Sequence, residues 1–589
     1  MSAVDTRRPV PPLYAAAEPA ERARGIAWGW PLAVAALLAG ALLLRLWGIR
    51  QGLPYAYNSD ENAHFVPKAI GLFGHSWNPD YFVNPPGYTY LLHLVFAVAY
   101  GGRLGVSKAF AANPTDVFTV ARVVAAVCGT VAVGLLYSAG ARLFDRRTGL
   151  LAAAVLAVAF LPVFYSHLAL NDVPTLVGVC LALAGVGGIL RHDRRRDYVV
   201  AGIGLGLGCA TKYTAGIVLL PILAAALAHG RAALGRLALA AVAGVLAFAV
   251  ANPYALLDFS AFRNGLNHQN AASNGEQGGK LGLTTHSGIV YYLWTLTWGL
   301  GWAPAIAALG GSVGLAVRDR ARFWILVPAP VAFLFFMGLQ GRFFGRWLMP
   351  ILPILCLLAA AAAFMAVDWL AARAPAWRPV LVALAGAALC LQGALYSVHL
   401  GAVLSRDDTR NIARAWMVAH VPAGAKIVVE PGVMPDGWAQ DIGRPTPLTS
   451  NGNRWIKYPT SRTFLQPDGS VDPGGPSRIV NIEDYERTLT PQLIADYERG
   501  GYCWVVSGST QSGRAFAQPS AVPEAVAYYR RLRALGGIAY RVSPYGQGQG
   551  AVRFNFDWSF DFYPMAYSRP GPVITIYRLT GRACGRGVS

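Results

Sequence analysis

Residues 347–367 read WLMPILPILCLLAAAAAFMAV, an apolar run without a single charged side chain. An α-helix needs about 20 apolar residues to cross the hydrocarbon core of a bilayer. This run therefore predicts a membrane-spanning helix. Similar runs recur on both sides of it, and together they predict eleven spans, at 26–48, 116–143, 149–170, 173–190, 198–211, 214–229, 235–254, 289–315, 323–340, 347–367 and 379–400.

The overall composition agrees with a polytopic α-helical membrane protein. Of the 589 residues, 54% are hydrophobic and only 14% are charged, whereas about 25% are charged in a typical soluble chain. The long apolar runs end near residue 400, and residues 401–589 have the patterning of a soluble α/β domain. In that domain the patterns predict helices at 409–421, 491–499 and 523–535 and strands at 426–430, 502–507 and 572–579. These features exclude a disordered chain, a disulfide scaffold and a simple cytosolic enzyme. We expect a short segment, 1–25, a transmembrane domain, 26–400, and a separate C-terminal domain.

The distribution of arginine predicts the orientation. Arginines occupy five short loops between the predicted spans, at 146–147, 191–196, 231–236, 318–322 and 373–378. Cytoplasmic loops of membrane proteins are enriched in Lys and Arg. All five loops share the side of the Arg-bearing N-terminus only if the twelfth apolar stretch, 86–102, does not cross. We therefore interpret 86–102 as a re-entrant or interfacial helix in a long outer loop, 49–115. A second outer loop is 255–288, and 401–589 is expected outside a bacterial cytoplasmic membrane.

Two further features bear on partners and compartment. The net charge of +20 would suggest nucleic acid binding in a soluble protein, but here the inner loops account for it, and we expect membrane lipid rather than nucleic acid as a partner. Five of the seven cysteines lie in apolar runs. Cys503 and Cys584 lie in the C-terminal domain and could pair if that domain faces an oxidising compartment.

Three carboxylates on the predicted outer side are candidates for chemistry. Asp60 and Glu61 form an acidic pair shortly after the first span, where a solvated loop would be the ordinary explanation. Asp172 lies at the outer end of the third span, between apolar helices. A carboxylate at a membrane boundary is energetically costly unless it has a partner or a function.

Outer cations complement these carboxylates. Lys212, Arg342, Arg346 and Arg122 lie on the outer side, against the general bias of positive charge toward the cytoplasm. They could extend toward the interface or pair with the carboxylates. Alternatively they could hold an anionic head group, since Arg and Lys both bind phosphate.

A single reaction would use both sets of charges. Sugar transfer from a lipid phosphate needs a base that accepts the proton of the attacking hydroxyl, because that hydroxyl has a high pKa. It also needs cations that neutralise the departing phosphate. The sequence therefore favours Asp60, Glu61 and Asp172 as catalytic candidates.

Five short motifs lie on or next to the predicted outer side: SDE at 59–61, NPPGYTYLL at 84–92, ALNDVP at 169–174, TKYT at 211–214 and GRWLMPILP at 345–353. In order and spacing they resemble motifs of the GT-C fold glycosyltransferases, in particular the branch of protein O-mannosyltransferases that includes the lipid A aminoarabinose transferases. The segment TRNIARAW at 409–416 looks like the start of the soluble tail of bacterial members.

The resemblance implies a polyprenyl-phosphate sugar donor, inversion at the anomeric carbon and a catalytic aspartate in the first outer loop. By position that aspartate is Asp60, the second acidic position is Asp172, and the lysine of the TKYT motif is Lys212. Lys212, Arg342, Arg346 and Arg122 are the candidates for binding the donor phosphate. The acceptor stays open between a protein, a glycan and a lipid.

The resemblance does not carry over a metal site. In the aminoarabinose branch a Glu-Lys pair precedes the first proline of the second motif, and that Glu helps to hold zinc. Here Val83 and Asn84 occupy these positions. No cofactor is therefore assigned, a divalent metal stays open, and His268 and His286 are further candidates for contact with an acceptor or an ion.

Two other classes of function stay open at this stage. A transporter or flippase for polyprenyl-linked glycans would also need many helices and outer cations, but transport folds commonly contain paired repeats with interrupted helices. We find no such pair in this sequence. A binding protein would use the C-terminal domain for recognition. The placement of the charged candidates on one face favours the transferase.

Overall fold

The structure is a computed structural model of the whole chain. It describes residues 29–585 other than 75, 231–232, 275–280, 283–286, 431–435, 440–452, 459–484, 550 and 555–564. The predicted N-terminal segment 1–25 and the candidate His286 therefore lie outside the described residues.

Helices follow one another from residue 29 to residue 404. Their bounds are α1 Gly29–Leu46, α2 Val66–Gly71, α3 Gly87–Tyr100, α4 Arg103–Ala112, α5 Pro114–Leu143, α6 Arg146–Val158, α7 Phe160–Tyr165, α8 Thr175–His192, α9 Arg195–Thr211, α10 Leu219–Leu227, α11 Leu234–Ala251, α12 Tyr254–Leu257, α13 Phe259–Asn274, α14 Gly288–Leu296, α15 Trp302–Arg318, α16 Arg320–Leu326, α17 Pro328–Gly338, α18 Leu352–Ala371 and α19 Arg378–Leu404. Short π or 3₁₀ segments extend several of them, at Glu61–Phe65, Tyr213–Val218, Thr297–Gly301, Gly345–Ile351 and Pro375–Trp377.

The predicted multi-pass helical architecture is confirmed. In the part of the chain that the structure describes, eight helical segments are long and apolar enough to cross a membrane, and they coincide with eight of the eleven predicted spans. The remaining three, 149–170, 198–211 and 214–229, are also helical. These three are not among the eight long segments, because α6 and α7 are separated by a break at Ala159, and because α9 and the segment Tyr213–Leu227 are shorter than 18 residues.

The stretch 86–102 forms a single helix of 14 residues, α3. Helix α3 ends at Tyr100, and after Gly101 and Gly102 helix α4 continues at an angle of 90° to it. The two glycines have φ values of +65° and +97°, a region of backbone conformation that residues with a Cβ atom rarely adopt. The bend is compatible with a segment that does not cross, and the sidedness built on that interpretation stays a prediction.

Glycines bring α8 and α9 unusually close together. A Cβ atom on Gly178 would lie 2.3 Å from the backbone nitrogen of Gly208, so the helices can approach this closely only without a side chain there. Asp172 precedes α8 and Lys212 follows α9. The tight contact between the two helices therefore holds these two residues at neighbouring helix ends.

Beyond residue 404 the chain forms the predicted α/β domain. Its helices are α20 Thr409–His420, α21 Gln492–Gly500, α22 Ser509–Ala517 and α23 Pro523–Leu535, and its strands are β1 Lys426–Val429, β2 Ile456–Lys457, β3 Trp504–Gly508, β4 Gly537–Val542 and β5 Ile574–Arg578. The sheet has the order β2-β1-β3-β5-β4. Strand β1 pairs in parallel with β2 and β3, and β5 pairs antiparallel with β3 and β4.

The two faces of this sheet are covered by different helices. Side chains of a strand alternate between faces, so Ile427 and Val429 pack in one core with Met417 of α20, whereas Val428 packs in another core with Tyr497 of α21 and Tyr528 of α23. The sheet thus separates α20 from the other helices of the domain.

Most elements of this domain follow the sequence patterns. Helices α20, α21 and α23 and strands β1, β3 and β5 agree with the predicted segments to within about two residues, whereas α22, β2 and β4 were not predicted. Strand β4 carries Ile538, Tyr540 and Val542 at alternate positions, a signal that indicates a strand. A disulfide joins Cys503 and Cys584, so the pairing that the sequence left open is present.

Candidate functional site

Four of the predicted site residues meet in one place, which we call the charged cluster: Asp60, Asp172, Lys212 and Arg346. Arg346 Nη2 donates to Asp60 Oδ2 at 2.9 Å, and Arg346 Nε lies 3.9 Å from Asp172 Oδ2. Lys212 Nζ donates to Asp172 Oδ1. One guanidinium therefore links both aspartates, although 286 residues separate Arg346 from Asp60.

Each residue of the charged cluster stands at the end of a helical segment. Asp60 immediately precedes the π-helical turn Glu61–Phe65. Asp172 and Lys212 flank the closely packed α8 and α9, and Arg346 lies in the 3₁₀ turn that leads into α18. Helix ends place polar side chains at the rim of the helical bundle while the helices bury their apolar surfaces.

The two aspartates differ in accessibility. The Asp60 side chain is 30% exposed, whereas that of Asp172 is 3% exposed and those of Lys212 and Arg346 are each 11% exposed. Asp60 is therefore the carboxylate of the cluster that an incoming molecule can reach. Asp172 contacts both cations and orients them.

The formal charges of the cluster cancel, because two aspartates face two cations. An anionic ligand would therefore have to share Lys212 and Arg346 with the carboxylates. Arg342 lies close by, since the Arg342 and Arg346 guanidinium carbons lie 5.1 and 4.6 Å from the centroid of the same Phe344 ring. Arg342 is half-buried and is a further cation at this edge of the cluster.

Glu61 and Arg122 form a separate ion pair. Both side chains are fully buried. Arg122 Nε and Nη2 donate to the two carboxylate oxygens of Glu61 at 2.7 and 2.9 Å, and Arg122 Nη1 donates to the carbonyl oxygens of Ile49 and Gln51. The backbone N–H of Ala169 also donates to Glu61. The expected catalytic role of Glu61 and phosphate contact of Arg122 do not fit this geometry, because neither side chain reaches solvent.

Polar side chains that the sequence reasoning did not single out extend from the cluster. Asn171 Nδ2 donates to Thr211 O at 2.7 Å and approaches Asn84 Oδ1 at 3.5 Å. Asn84 Nδ2 in turn donates to the Tyr81 hydroxyl at 3.0 Å. Asn84 and Asn171 both lie inside the quoted motifs, and Asn171 directly precedes Asp172, so their place in these motifs was the available signal.

Tyr81 lies close to Asp60 and Arg346 of the charged cluster. Its ring stacks on His64 with a centroid separation of 4.6 Å, and the ammonium of Lys68 lies 5.4 Å from the ring centroid. Burial, reinforced by the nearby Asp60 carboxylate, raises the pKa of the Tyr81 hydroxyl. The hydroxyl therefore stays protonated at neutral pH and can donate a hydrogen bond near Asp60.

The described residues do not offer a metal site. No group of three or more His, Cys, Asp or Glu side chains in this part of the chain is arranged to hold a metal ion. The positions that correspond to the zinc-binding Glu-Lys pair are Val83 and Asn84, and the Asn84 amide is engaged with Tyr81. His268 is exposed on α13. The side chains present do not fit the zinc site of the aminoarabinose branch.

Comparison with known proteins identifies the fold. Residues 84–256 match the family named dolichyl-phosphate-mannose-protein mannosyltransferase. The crystal structure of ArnT from Cupriavidus metallidurans bound to undecaprenyl phosphate superposes with a TM-score of 0.52 at 13% identity, covering 95% of this chain and 100% of that one. The chain has the GT-C glycosyltransferase fold.

A second GT-C structure is also similar. The apo oligosaccharyltransferase of Archaeoglobus fulgidus matches with a TM-score of 0.50 at 14% identity, over 91% of this chain and 76% of that one. No curated protein sequence is significantly similar to the chain. The resemblance drawn from the short motifs is thus confirmed as a GT-C fold of the mannosyltransferase and ArnT type.

Proposed function

We propose that the protein transfers a sugar from a polyprenyl-phosphate donor to an acceptor hydroxyl, with inversion at the anomeric carbon. The charged cluster is the observation that carries this proposal, because it combines one accessible carboxylate with two fixed cations. The matched family is named for a dolichyl-phosphate sugar, and the similar ArnT structure holds undecaprenyl phosphate. Both names support a lipid-phosphate donor for this chain.

In the proposed reaction Asp60 acts as the base. It accepts the proton of the acceptor hydroxyl while the acceptor oxygen forms a bond to the anomeric carbon. The bond between that carbon and the phosphate oxygen breaks, and the polyprenyl phosphate leaves with the electron pair. Lys212 and Arg346 neutralise the charge that develops on the phosphate. Asp172 holds both cations in place.

The reaction is proposed to occur on the outer face of a bacterial cytoplasmic membrane. Three observations support this orientation: the arginine-bearing loops favour the cytoplasm, the C-terminal domain contains a disulfide, and that domain contacts the segment that carries Asp60. A topology reporter fused after Ser589 is expected to be active outside. A cytoplasmic signal would contradict the orientation.

The function is tested with purified protein in lipid nanodiscs. A panel of radiolabelled polyprenyl-phosphate sugars is offered with peptide, glycan and lipid acceptors, and transfer is measured. Asp60→Asn should abolish transfer while preserving folding. Asp116→Asn is the matched control, because Asp116 lies at the outer end of the second predicted span, directly after the loop that carries Asp60, and its side chain is 73% exposed. Among the described residues its ion pair is a long one with Arg50, at 3.6 Å.

Other outcomes would point elsewhere. Donor binding without transfer by the wild-type protein, combined with movement of labelled donor across a liposome membrane, would indicate the flippase. Donor binding with neither transfer nor movement would indicate a binding protein. Transfer that survives Asp60→Asn would remove Asp60 as the base.

A further inference from the structure

We propose that helix α20 of the C-terminal domain positions residues 49–65, the segment that carries Asp60. We call these residues the Asp60 segment. Residues Arg410, Asn411 and Arg414 of the TRNIARAW motif make the contacts. The inference rests on the proposed function in one respect only, which is that Asp60 acts on the substrate. The docking itself is independent of that assignment.

Asn411 makes the central contact. The Tyr57 hydroxyl donates to Asn411 Oδ1 at 2.5 Å, and Asn411 Nδ2 lies within hydrogen-bonding distance of the carbonyl oxygens of Gly52 and Leu53, at 3.2 and 3.3 Å. One side chain thereby engages both ends of a turn within the Asp60 segment. A side-chain amide offers an acceptor and two donors, which is what this arrangement requires.

Two arginines flank Asn411 and hold aromatic rings of the same segment. The guanidinium carbon of Arg410 lies 3.5 Å from the centroid of the Tyr57 ring, and that of Arg414 lies 5.3 Å from the centroid of the Tyr55 ring. Arg410 is itself fixed by a bidentate ion pair with the buried Asp408. Such cation–π contacts strengthen when they are partly desolvated.

The helix that carries these side chains is firmly attached to its own domain. Residues three and four apart share a helix face, so Arg410, Asn411 and Arg414 lie together, while Ala413 and Met417 pack into the core against the sheet. Thr409 Oγ1 donates to Pro572 O at 2.6 Å. The docking surface is therefore part of a packed domain.

The position of Tyr57 influences that of Asp60, which follows three residues later in the chain. Asn58 Oδ1 accepts hydrogen bonds from the backbone N–H groups of Asp60 and Glu61, at 3.0 and 3.2 Å. This local turn ties the start of the π-helix to the residue that follows Tyr57. A shift of Tyr57 away from Asn411 would therefore displace Asp60.

The expected consequence is specific to the chemical step. Lys212, Asp172 and Arg346 stand on other helix ends, so donor binding should persist when α20 releases the segment. A misplaced base lowers the turnover number, and a displacement of about 1 Å can cost up to about 100-fold. We expect kcat to fall about 10- to 100-fold and the KM for the donor to change little.

The test uses the full chain and two substitutions that remove the same contact. Tyr57→Phe deletes only the hydroxyl, and Asn411→Ala deletes the amide that accepts from it. His420→Ala is the control, because His420 lies on α20 and stacks on Trp416 rather than on the Asp60 segment. Amide hydrogen exchange is measured on peptides covering residues 49–65 and on peptides covering β3.

Faster exchange in 49–65 of Asn411→Ala and Tyr57→Phe, with unchanged exchange in β3 and in the control, is the expected result. Unchanged exchange in 49–65 would overturn the docking, and equal acceleration across the C-terminal domain would indicate unfolding of that domain and also overturn it. These measurements need no substrate, so they decide the docking even if no sugar is transferred.

Kinetics then test the positioning role. For the labelled donor that the wild-type protein accepts, both variants should lose kcat at nearly constant KM, and the double variant should lose no more than Asn411→Ala alone, since both remove one interaction. Asn411→Asp, which keeps the acceptor for Tyr57, should recover part of kcat. Additive losses or a rise in KM instead of a fall in kcat would overturn the role. A wild-type protein that transfers no sugar refutes only the proposed function.

Discussion

Asp60 and Glu61 are adjacent in the chain, but the structure places them in opposite environments. The Asp60 side chain is 30% exposed and meets Arg346, whereas the Glu61 side chain is completely buried against Arg122. Asp60 precedes the π-helical turn, and Glu61 is its first residue. One residue further along the chain, the Glu61 carboxylate therefore points into the interior of the helical bundle.

The comparison shows what separates a carboxylate that can act on a substrate from one that stabilises the fold. Both oxygens of Glu61 accept hydrogen bonds from Arg122, and one also accepts from the backbone N–H of Ala169. Leaving a buried charge without its partner is costly, so this pair secures the bundle. Asp60 has one such donor in Arg346 and faces solvent, so it remains available for proton transfer.

The largest effect is expected at Asp60. Asp60→Asn removes the base and should lower kcat about 100- to 10,000-fold, with little change in the thermal unfolding midpoint. Sugar transfer and thermal unfolding of the purified variant are the measurements. A loss of stability comparable to that of a Glu61 variant would erase the distinction between the two carboxylates.

Lys212 should give the next largest effect. Lys212→Ala removes a fixed cation from the charged cluster and should cost about 2–4 kcal/mol of transition-state stabilisation, measured as a drop in kcat/KM. Lys212→Arg should recover only part, because a planar guanidinium does not replace an ammonium at this closely packed helix end. Full activity of Lys212→Ala would remove Lys212 from phosphate binding.

Glu61 should affect stability rather than turnover. Glu61→Gln leaves Arg122 buried without its counter-charge, and a broken buried pair typically costs about 3–5 kcal/mol. We expect a lower unfolding midpoint, with activity per folded molecule close to that of the wild type. The control is Asp116→Asn, which changes an exposed carboxylate and should alter neither quantity. An active-site role for Glu61 would appear as lost turnover at unchanged stability.

The comparison extends to a third carboxyl group, which lies in the C-terminal domain and has no cationic side chain paired with it among the described residues. Glu430 is fully buried, accepts hydrogen bonds from Ser507 Oγ and the Gly508 N–H, and makes no ion pair among the described residues. Burial raises its pKa to about 8. The Glu486 carboxylate also raises the pKa of Glu430, and Glu486 itself lies 3.8 Å from Arg514.

The pH dependence follows from the raised pKa. Between the usual glutamate pKa of 4.5 and about 8, the folded domain holds a proton that the unfolded chain releases, so stability falls as the pH rises through this window. Exchange in β3, corrected for the intrinsic rate, should be faster at pH 8 than at pH 6. Glu430→Gln should remove this difference, and a persistent difference would assign it to another group.

Sequence patterns predicted most of the scaffold. The apolar runs located the helices because a bilayer demands long uncharged segments, and the alternating or periodic patterns of the C-terminal domain located α20, α21, α23, β1, β3 and β5. Strand β2 spans only two residues, too short for any periodicity. The apolar run 149–170 is divided between α6 and α7 at Ala159, because a backbone break leaves no mark in hydropathy.

The sequence predicted which residues belong to the candidate site better than it predicted which residue pairs with which. Asp60, Asp172, Lys212 and Arg346 were all named from the sequence, and the structure places them together. Glu61 was named as a catalytic candidate and Arg122 as a contact to the donor phosphate, and the structure places them together in a buried pair outside the charged cluster. Both groups have the same charge chemistry, and sequence spacing does not distinguish them.

The sequence alone therefore determined that this is a many-helix membrane protein with a separate α/β domain, since hydrophobic length and periodicity are local properties of the chain. Only the tertiary structure decided which arginine meets which carboxylate, because 286 residues separate Arg346 from Asp60 and their contact depends on how the helices pack. The docking of α20 on the Asp60 segment has the same origin. Local patterns specify which surface of a helix is apolar, whereas partners across the bundle follow from close packing at positions such as Gly178 and Gly208.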